Sequence, residues 1–592
     1  MTSTDTHDGA TSVFNVEDWL VVAIFAAAML IITLYAMRAK ARSGQDYFLS
    51  GRDSNWLQIG TSIFSSNIGS EHLVGLAGAG FATGMAMAHW EIQSWLILVL
   101  GWVFVPLYAR MRVFTMPEFL ELRFSRATRN VLSILSIASL VLTKIAVTIY
   151  AGDVVVRTLL AIDRVTVFGF QLDIFWVIAL SLAVTTGLYT ALGGMRVIMY
   201  TAVLQAPVLI IGSLCILYSG LQSLGHGSLI AGWHATVAAA GANIHLIRPL
   251  KDPDWSWAAV LPGSAIIGFW YWCTDQYIVQ RVLAGRNQQQ ARRGAILAAF
   301  LKLTPVFIFL VPGMIAFALT RAPQTTFTTS GDAAYTSLVA QVLPHGLRGM
   351  VACSMIVALM ASLASKFNAS ATLFTMDFFR EWYPNASGPT EVLVGRVATG
   401  AIVLLGIFWV LVIKSLHSDL YVYLQSVQGY LSPAIASLFL FGVFWKRATA
   451  PAALWAFIVG TLAGLARLAA DLAMRDEGAA VSALKQQLYH GVIGVSQYGA
   501  AIAPIRARHP WIFDFWNLNW LYFAQGSLVG TALIMLIVSL MTRPPDSGAI
   551  KYTWYGATAE ERAATRASWT ASDVVLSGIV LIATVIFYVS FW

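Results

Sequence analysis

The chain has 592 residues, 58% of them hydrophobic and 11% charged, with a net charge of +8 and a mean hydropathy of +0.70. Soluble domains carry roughly 25% charged residues, so a water-soluble globular protein is excluded. The basic excess is no nucleic-acid signal, because those residues sit in short loops between apolar runs. Cys215, Cys273 and Cys353 fall inside such runs, so no disulfide framework is expected. The first residues are polar and acidic with no basic segment, so no cleaved signal peptide is expected.

Apolar runs of about 20 residues, the length of a bilayer-crossing helix, recur from end to end. They predict fourteen spans, near 16–37, 55–79, 82–108, 128–160, 169–192, 196–221, 256–284, 294–320, 348–379, 390–414, 418–443, 450–474, 513–541 and 570–592. Basic clusters follow the first, third, seventh, eleventh and thirteenth spans: Arg38 to Arg52, Arg110 to Arg126, Arg281 to Arg293, Lys446 with Arg447, and Arg543 with Lys551. All five lie on one side of the membrane under this count. Basic loops stay cytoplasmic, which places both termini outside a cell (plasma or inner) membrane. The expected fold is an all-α polytopic membrane protein of about fourteen transmembrane helices. It divides into a tail, extra first helix and loop (1–54), a first five-helix repeat (55–221), an external loop (222–255), a second repeat of inverted orientation (256–443) and three C-terminal helices with their loops (444–592).

Each repeat opens on an apolar helix with polar residues crowded at mid-depth, Ser65 to His72 in one and Phe269 to Gln276 in the other. Ser, Asn and Gly compete with or weaken helical hydrogen bonds, so both helices are expected to break. Opened backbone at membrane depth is tolerated only where it is buried or lines a cavity, and paired broken helices mark a transporter's binding region.

A charge inside the membrane costs roughly 2.5–3.5 kcal/mol, so each one needs a partner or a function. Glu91 and Lys302 rank first, with Gln425, His72 and Asn67 completing a set of donors and acceptors suited to a neutral polyol. Tyr271 and Trp272 offer flat faces to a sugar ring, and Trp90 and Ser94 flank Glu91. The plainer alternative is that Glu91, Lys302 and Gln425 pair between helices as scaffolding and that the aromatics simply pack. Ala358, Ala361 and Ser362 share one helix face, where small residues permit close helix contact. Ser362 next to the unwound carbonyls of Ser65 and Ile68 would instead give an oxygen cage for Na⁺. No nucleophile–base set or metal cluster suggests an enzyme. The GAGFATG run lacks the preceding strand of a dinucleotide loop.

The stretches SNIGSEHLVGLAG (Ser66–Gly78), TMPEFLELRF (Thr115–Phe124), LGGMRVIMYT (Leu192–Thr201), WYWCTDQYIVQR (Trp270–Arg281), FNASATLFTMD (Phe367–Asp377), YLQSVQGYLSP (Tyr423–Pro433) and FWKR (Phe444–Arg447) resemble the sodium/glucose cotransporters of the solute:sodium symporter family. The resemblance covers about residues 45–450 and implies the fold of the neurotransmitter:sodium symporters, with one helix before a ten-helix core and three after it. It also implies a sugar site at Asn67, His72, Glu91, Lys302 and Gln425, with Tyr271 as inner gate and Trp272 beside it. Gly268 stands where relatives have a Thr or Asn that touches the sugar. The implied Na⁺ ligands are Ser65, Ile68, Ala358, Ala361 and Ser362, one hydroxyl short at Ala361. Ala202 replaces an aspartate and Ala364 a hydroxyl, so one Na⁺ is expected rather than two. Lys366 lies one turn below Ser362.

The expected function is secondary active uptake of a hexose-like sugar, glucose- or galactose-like, with Na⁺ by alternating access. Two alternatives stand beside it: a sodium-independent or proton-coupled carrier in which Lys366 replaces the ion, and a membrane sugar sensor.

Overall fold

A computed structural model describes residues 14–592 apart from 70, 161, 163, 168–169, 323–326, 328, 330, 414–419 and 490–491. Ser70 of the first expected break and the acidic N-terminal residues lie outside the described set. Eleven described helices are long and apolar enough to cross a membrane. The helix Ile174–Leu224 holds two of the expected spans, separated where Gly194 takes φ 57° and ψ −151°. Only glycine adopts that backbone cheaply, and an added Cβ there would meet the Tyr47 carbonyl at 2.5 Å. Tyr47 Oη in turn donates to the Ala191 carbonyl at 2.8 Å, tying the bend down. The fold is thus the all-α polytopic arrangement that the hydropathy pattern requires.

The expected fifth span begins five residues late. Arg164–Val167 and Phe170–Asp173 form an antiparallel hairpin with Arg164 opposite Asp173. Their alternating apolar and polar residues suit a strand, and the helix starts only at Ile174, where Asp173 accepts from the Phe175 amide at 3.0 Å. The long connections also fold locally, into helices Leu229–Ala240, Ala334–Val342, Arg475–Tyr489 and Val495–Arg508. Met474, Val481, Ile505 and Phe513 form a small apolar core beneath the last two.

The chain forms two compact units, Met1–Met87 with Ile137–Ile244 and Thr304–Tyr421, and Ala88–Ser136 with His245–Leu303 and Val422–Trp592. Each draws segments from both expected repeats. In the first unit, the helix Leu347–Leu373 packs against Ile174–Leu224 and Val16–Met37. Its N-cap, Gly346, has no side chain to satisfy the first-turn amides. Asp18 does this from the first helix, accepting from the amides of Gly346 at 2.8 Å and Gly349 at 2.7 Å.

In the second unit, four arginines from three loops or helix ends converge on one late segment. Arg110 donates to the Thr553 carbonyl at 2.7 Å and Arg447 to the Thr542 carbonyl at 2.6 Å. Arg292 donates to Ser568 Oγ at 2.8 Å, and Arg293 pairs with Asp573 at 2.8 Å. Loops after the third, seventh and eleventh spans therefore meet on the same late segment of this unit.

Candidate functional site

In the first unit, the helix Trp56–Asn67 opens on a reciprocal Asn55–Gln58 cap and ends at Asn67. Ile68 takes an extended conformation, φ −76° and ψ 112°, and the chain resumes as a π-helix over Glu71–Leu76. Single-turn π segments are rare and frequent at functional sites. The last-turn carbonyls, Ser65 among them, have no i+4 amide within the helix. Ser65, Ile68, Asn67 and His72 are all buried, and His72 meets Phe309 edge-on with ring centroids 6.0 Å apart.

This break is clamped against the Leu347–Leu373 helix. A Cβ on Gly69 would sit 2.6 Å from Ser362 Oγ, so the glycine lets the two backbones touch. One turn on, Ser66 Oγ and Ser365 Oγ hydrogen-bond at 2.7 Å. Of the implied ion ligands, the structure thus sets Ser362 directly against the break. Ser65 contributes a buried hydroxyl that has no hydrogen-bond partner among the described residues, besides its carbonyl. Ala358, Ala361, Ala364 and Ala202 are buried methyl positions that add no side-chain oxygen. The Ala361 carbonyl already accepts from Ser365 Oγ at 2.7 Å.

Lys366 does not reach for the surface. Its side chain is fully buried. Its Nζ donates to Thr148 Oγ1 at 2.8 Å and to the Lys144 carbonyl at 3.4 Å, and lies 3.5 Å from Glu71 Oε1. Glu71 lies within the crowded stretch Ser65 to His72, and its partner is nearly 300 positions away, beyond the reach of local pattern.

In the second unit, the helix Trp257–Cys273 breaks at Thr274, and Asp275 caps its continuation, Gln276–Leu283. Both expected breaks are therefore present. Glu91 and Lys302 form a buried ion pair at 2.5 Å. Lys302 Nζ also sits over the Trp272 ring, 5.4 Å from its centroid, and Tyr271 meets Trp272 edge-on at 4.8 Å. The Tyr271 hydroxyl bonds to that of Tyr277, a partner the sequence reading did not single out.

Three other expected substrate residues end in buried polar atoms with no hydrogen-bond partner among the described residues: Trp90 Nε1, Ser94 Oγ and Gln425 Oε1. Such orphans are uncommon, and each costs about 1–3 kcal/mol unless something else satisfies it. Trp520, also missed from the sequence, links their elements. It stacks on Trp90 at 5.8 Å, and its ring lies 3.0 Å from where a Gly429 Cβ would stand, one turn beyond Gln425.

Gly268 has a local explanation. A Cβ there would lie 2.2 Å from Gln93 Oε1, whose amide is held in place by donating to the Ser264 carbonyl at 2.7 Å. Gln93 thus fills the space that a larger residue at 268 would need. A mid-span amide two positions from Glu91 was the available signal.

Comparisons with known proteins identify the family. The model of the sodium:solute symporter family matches residues 47–460. The chain is 34% identical over 567 residues to the sodium/myo-inositol cotransporter 2 of Oryctolagus cuniculus, covering 91% of this chain and 79% of that one. It is 33% identical over 576 residues to the sodium/glucose cotransporter 1 of Sus scrofa, covering 91% and 81%. Among solved structures, one described as the substrate-bound outward-open state of a Na⁺-coupled sialic acid symporter matches with a TM-score of 0.68 at 18% identity, over 90% of this chain and 99% of that one. The chain belongs to the sodium:solute symporter family, as a multi-pass membrane transport protein with Na⁺ as its coupling ion.

Proposed function

We propose that the chain takes up a neutral ring polyol, a hexose or a close relative, together with one Na⁺ by alternating access. The observation that carries this reading is the orphaned set Trp90 Nε1, Ser94 Oγ and Gln425 Oε1. An indole N–H gives, an amide oxygen accepts and a hydroxyl does both, which matches a ligand whose hydroxyls both give and accept. The Glu91–Lys302 pair adds charge-assisted bonds of both kinds without net charge, and Trp272 adds a flat apolar face. Relatives named for glucose and for myo-inositol, both rings bearing hydroxyls, support the substrate class. The basic loops are read as cytoplasmic, with both termini outside.

Each positive charge moved inward gains about 2.3 kcal/mol per 100 mV, enough to concentrate a neutral solute. The test is tracer accumulation in proteoliposomes holding the full chain, with labelled glucose, galactose and myo-inositol under imposed Na⁺, K⁺ or proton gradients. Accumulation of one of them driven by Na⁺ is the expected result. Binding of a sugar without accumulation would instead mark a sensor. Accumulation driven by protons, or by no ion, would favour the sodium-independent reading, which the buried Lys366 ammonium supports.

A further inference from the structure

Glu71 and Lys366 are buried charges in the first unit that sugar recognition does not use. Glu71 directly follows the break, and its Oε1 accepts no hydrogen bond among the described residues. Lys366 lies one turn beyond Ser362, the residue against which Gly69 of the break is pressed. Its ammonium is met by a hydroxyl (Thr148, 2.8 Å), a backbone carbonyl (Lys144, 3.4 Å) and a carboxylate (Glu71, 3.5 Å). These are the oxygen types that hard cations take from proteins, so the tethered ammonium is solvated much as a bound alkali ion would be. Lys144, itself buried on the turn before Thr148, adds a second positive charge to the region. The Lys366 ammonium opposes the entry of a further cation beside it.

We propose that the Lys366 ammonium is a built-in competitor of the transported Na⁺. With no Na⁺ bound it pairs with Glu71 beside the broken helix. When Na⁺ enters at the break, the Glu71 charge serves the ion, and Lys366 is left to Thr148 and the Lys144 carbonyl. The competition holds Na⁺ affinity down. This inference rests on the sodium-coupled reading above.

The test is Na⁺ titration of the full chain in detergent, with choline keeping ionic strength constant, read by thermal melting and tryptophan fluorescence. The variants are Lys366→Met, Glu71→Gln and the double variant. The half-saturating Na⁺ concentration is expected to fall at least about tenfold on removing Lys366, both from wild type and from the Glu71→Gln background. Glu71→Gln alone is expected to raise it. A wild type blind to Na⁺ whose Lys366→Met variant responds would also support the proposal, as complete competition. Should Lys366→Met fail to fold, the double variant, which carries no unpaired charge, is judged against Glu71→Gln. Half-saturation unchanged within about twofold, or weakened, on removing Lys366 overturns the proposal and leaves sodium coupling standing. No response to Na⁺ in any variant overturns both.

Discussion

Lys302 Nζ lies 2.5 Å from Glu91 Oε2, with only 3% and 1% of the two side chains exposed. Removing one member of such a pair strands the other charge, which costs roughly 3–5 kcal/mol. Glu91→Gln and Lys302→Met are each expected to lower the melting temperature clearly and to abolish uptake. The double variant regains most of the stability and none of the transport. Recovery of both together would reduce the pair to scaffolding.

For Gln425 the signs are reversed. Its Oε1 is already unsatisfied, so Gln425→Leu removes a burden of about 1–3 kcal/mol from the empty protein. Melting temperature is expected to hold or rise. Substrate affinity falls roughly 10–100-fold, since one or two hydrogen bonds are lost. A large drop in melting temperature with unchanged uptake would remove Gln425 from the site.

Gly268 and Gln93 form a testable couple. Gly268→Thr drives a side chain into Gln93 Oε1, which lies 2.2 Å from the Cβ position. That variant is expected to lose transport and some stability, as overpacking costs about 1–3 kcal/mol. Adding Gln93→Ala makes room, restoring folded protein with altered preference among hexoses and inositol. Uptake competition assays on the single and double variants read this directly.

Asp18 gives a stability prediction that leaves the transport site alone. Its carboxylate caps the Gly346 and Gly349 amides, and loss of a helix cap costs about 0.5–2 kcal/mol. Asp18→Ala lowers the melting temperature, Asp18→Asn lowers it less, and the substrate KM of both stays near wild type. A KM change without a melting shift would contradict the capping role.

Asp254 gives a pH signature. Burial lifts its carboxyl above the usual aspartate range, and the Gln486 hydrogen bond and the Lys485 charge pull it only partly back. A raised folded-state value means the folded chain holds a proton that the unfolded chain releases. Its contribution is therefore fully present below the ordinary aspartate value of about 3.9 and is lost as pH rises through the folded value. Asp254→Asn lacks that slope, so the wild-type and variant melting temperatures are expected to converge or part with pH across this window rather than run parallel. Parallel curves would show that the carboxyl is not shifted.

Much of this architecture was legible in the residues, and the rest fails for identifiable reasons. Hydropathy located the spans because bilayer thickness sets helix length. Ser, Asn and Gly crowding located the first break because those residues weaken helical bonding. The glycines that follow the break have a different role. Gly78 and Gly80 lie in a regular helix, Ala77–Thr83, and a Cβ on Gly80 would stand 2.3 Å from the Leu310 carbonyl, so close packing explains that glycine. Lys366 was visible as a charge, but not whether it snorkels to the surface or turns inward. That choice depends on Thr148 and Glu71, which only the fold brings to it. Trp520 and Gln93 look like ordinary span residues until their neighbours are known.

The convergence of Arg110, Arg292, Arg293 and Arg447 on residues 542–573 has a consequence for biogenesis. Basic side chains hold a loop on the side where it is made, and these four leave the ribosome well before the oxygens that will cap them. None of these oxygens has yet been made while the earlier helix pairs are being inserted. Under the proposed orientation, the same guanidinium groups would first orient the chain and later anchor it. A carrier cut short at Met541 would insert the right way round yet leave all four without their mature partners.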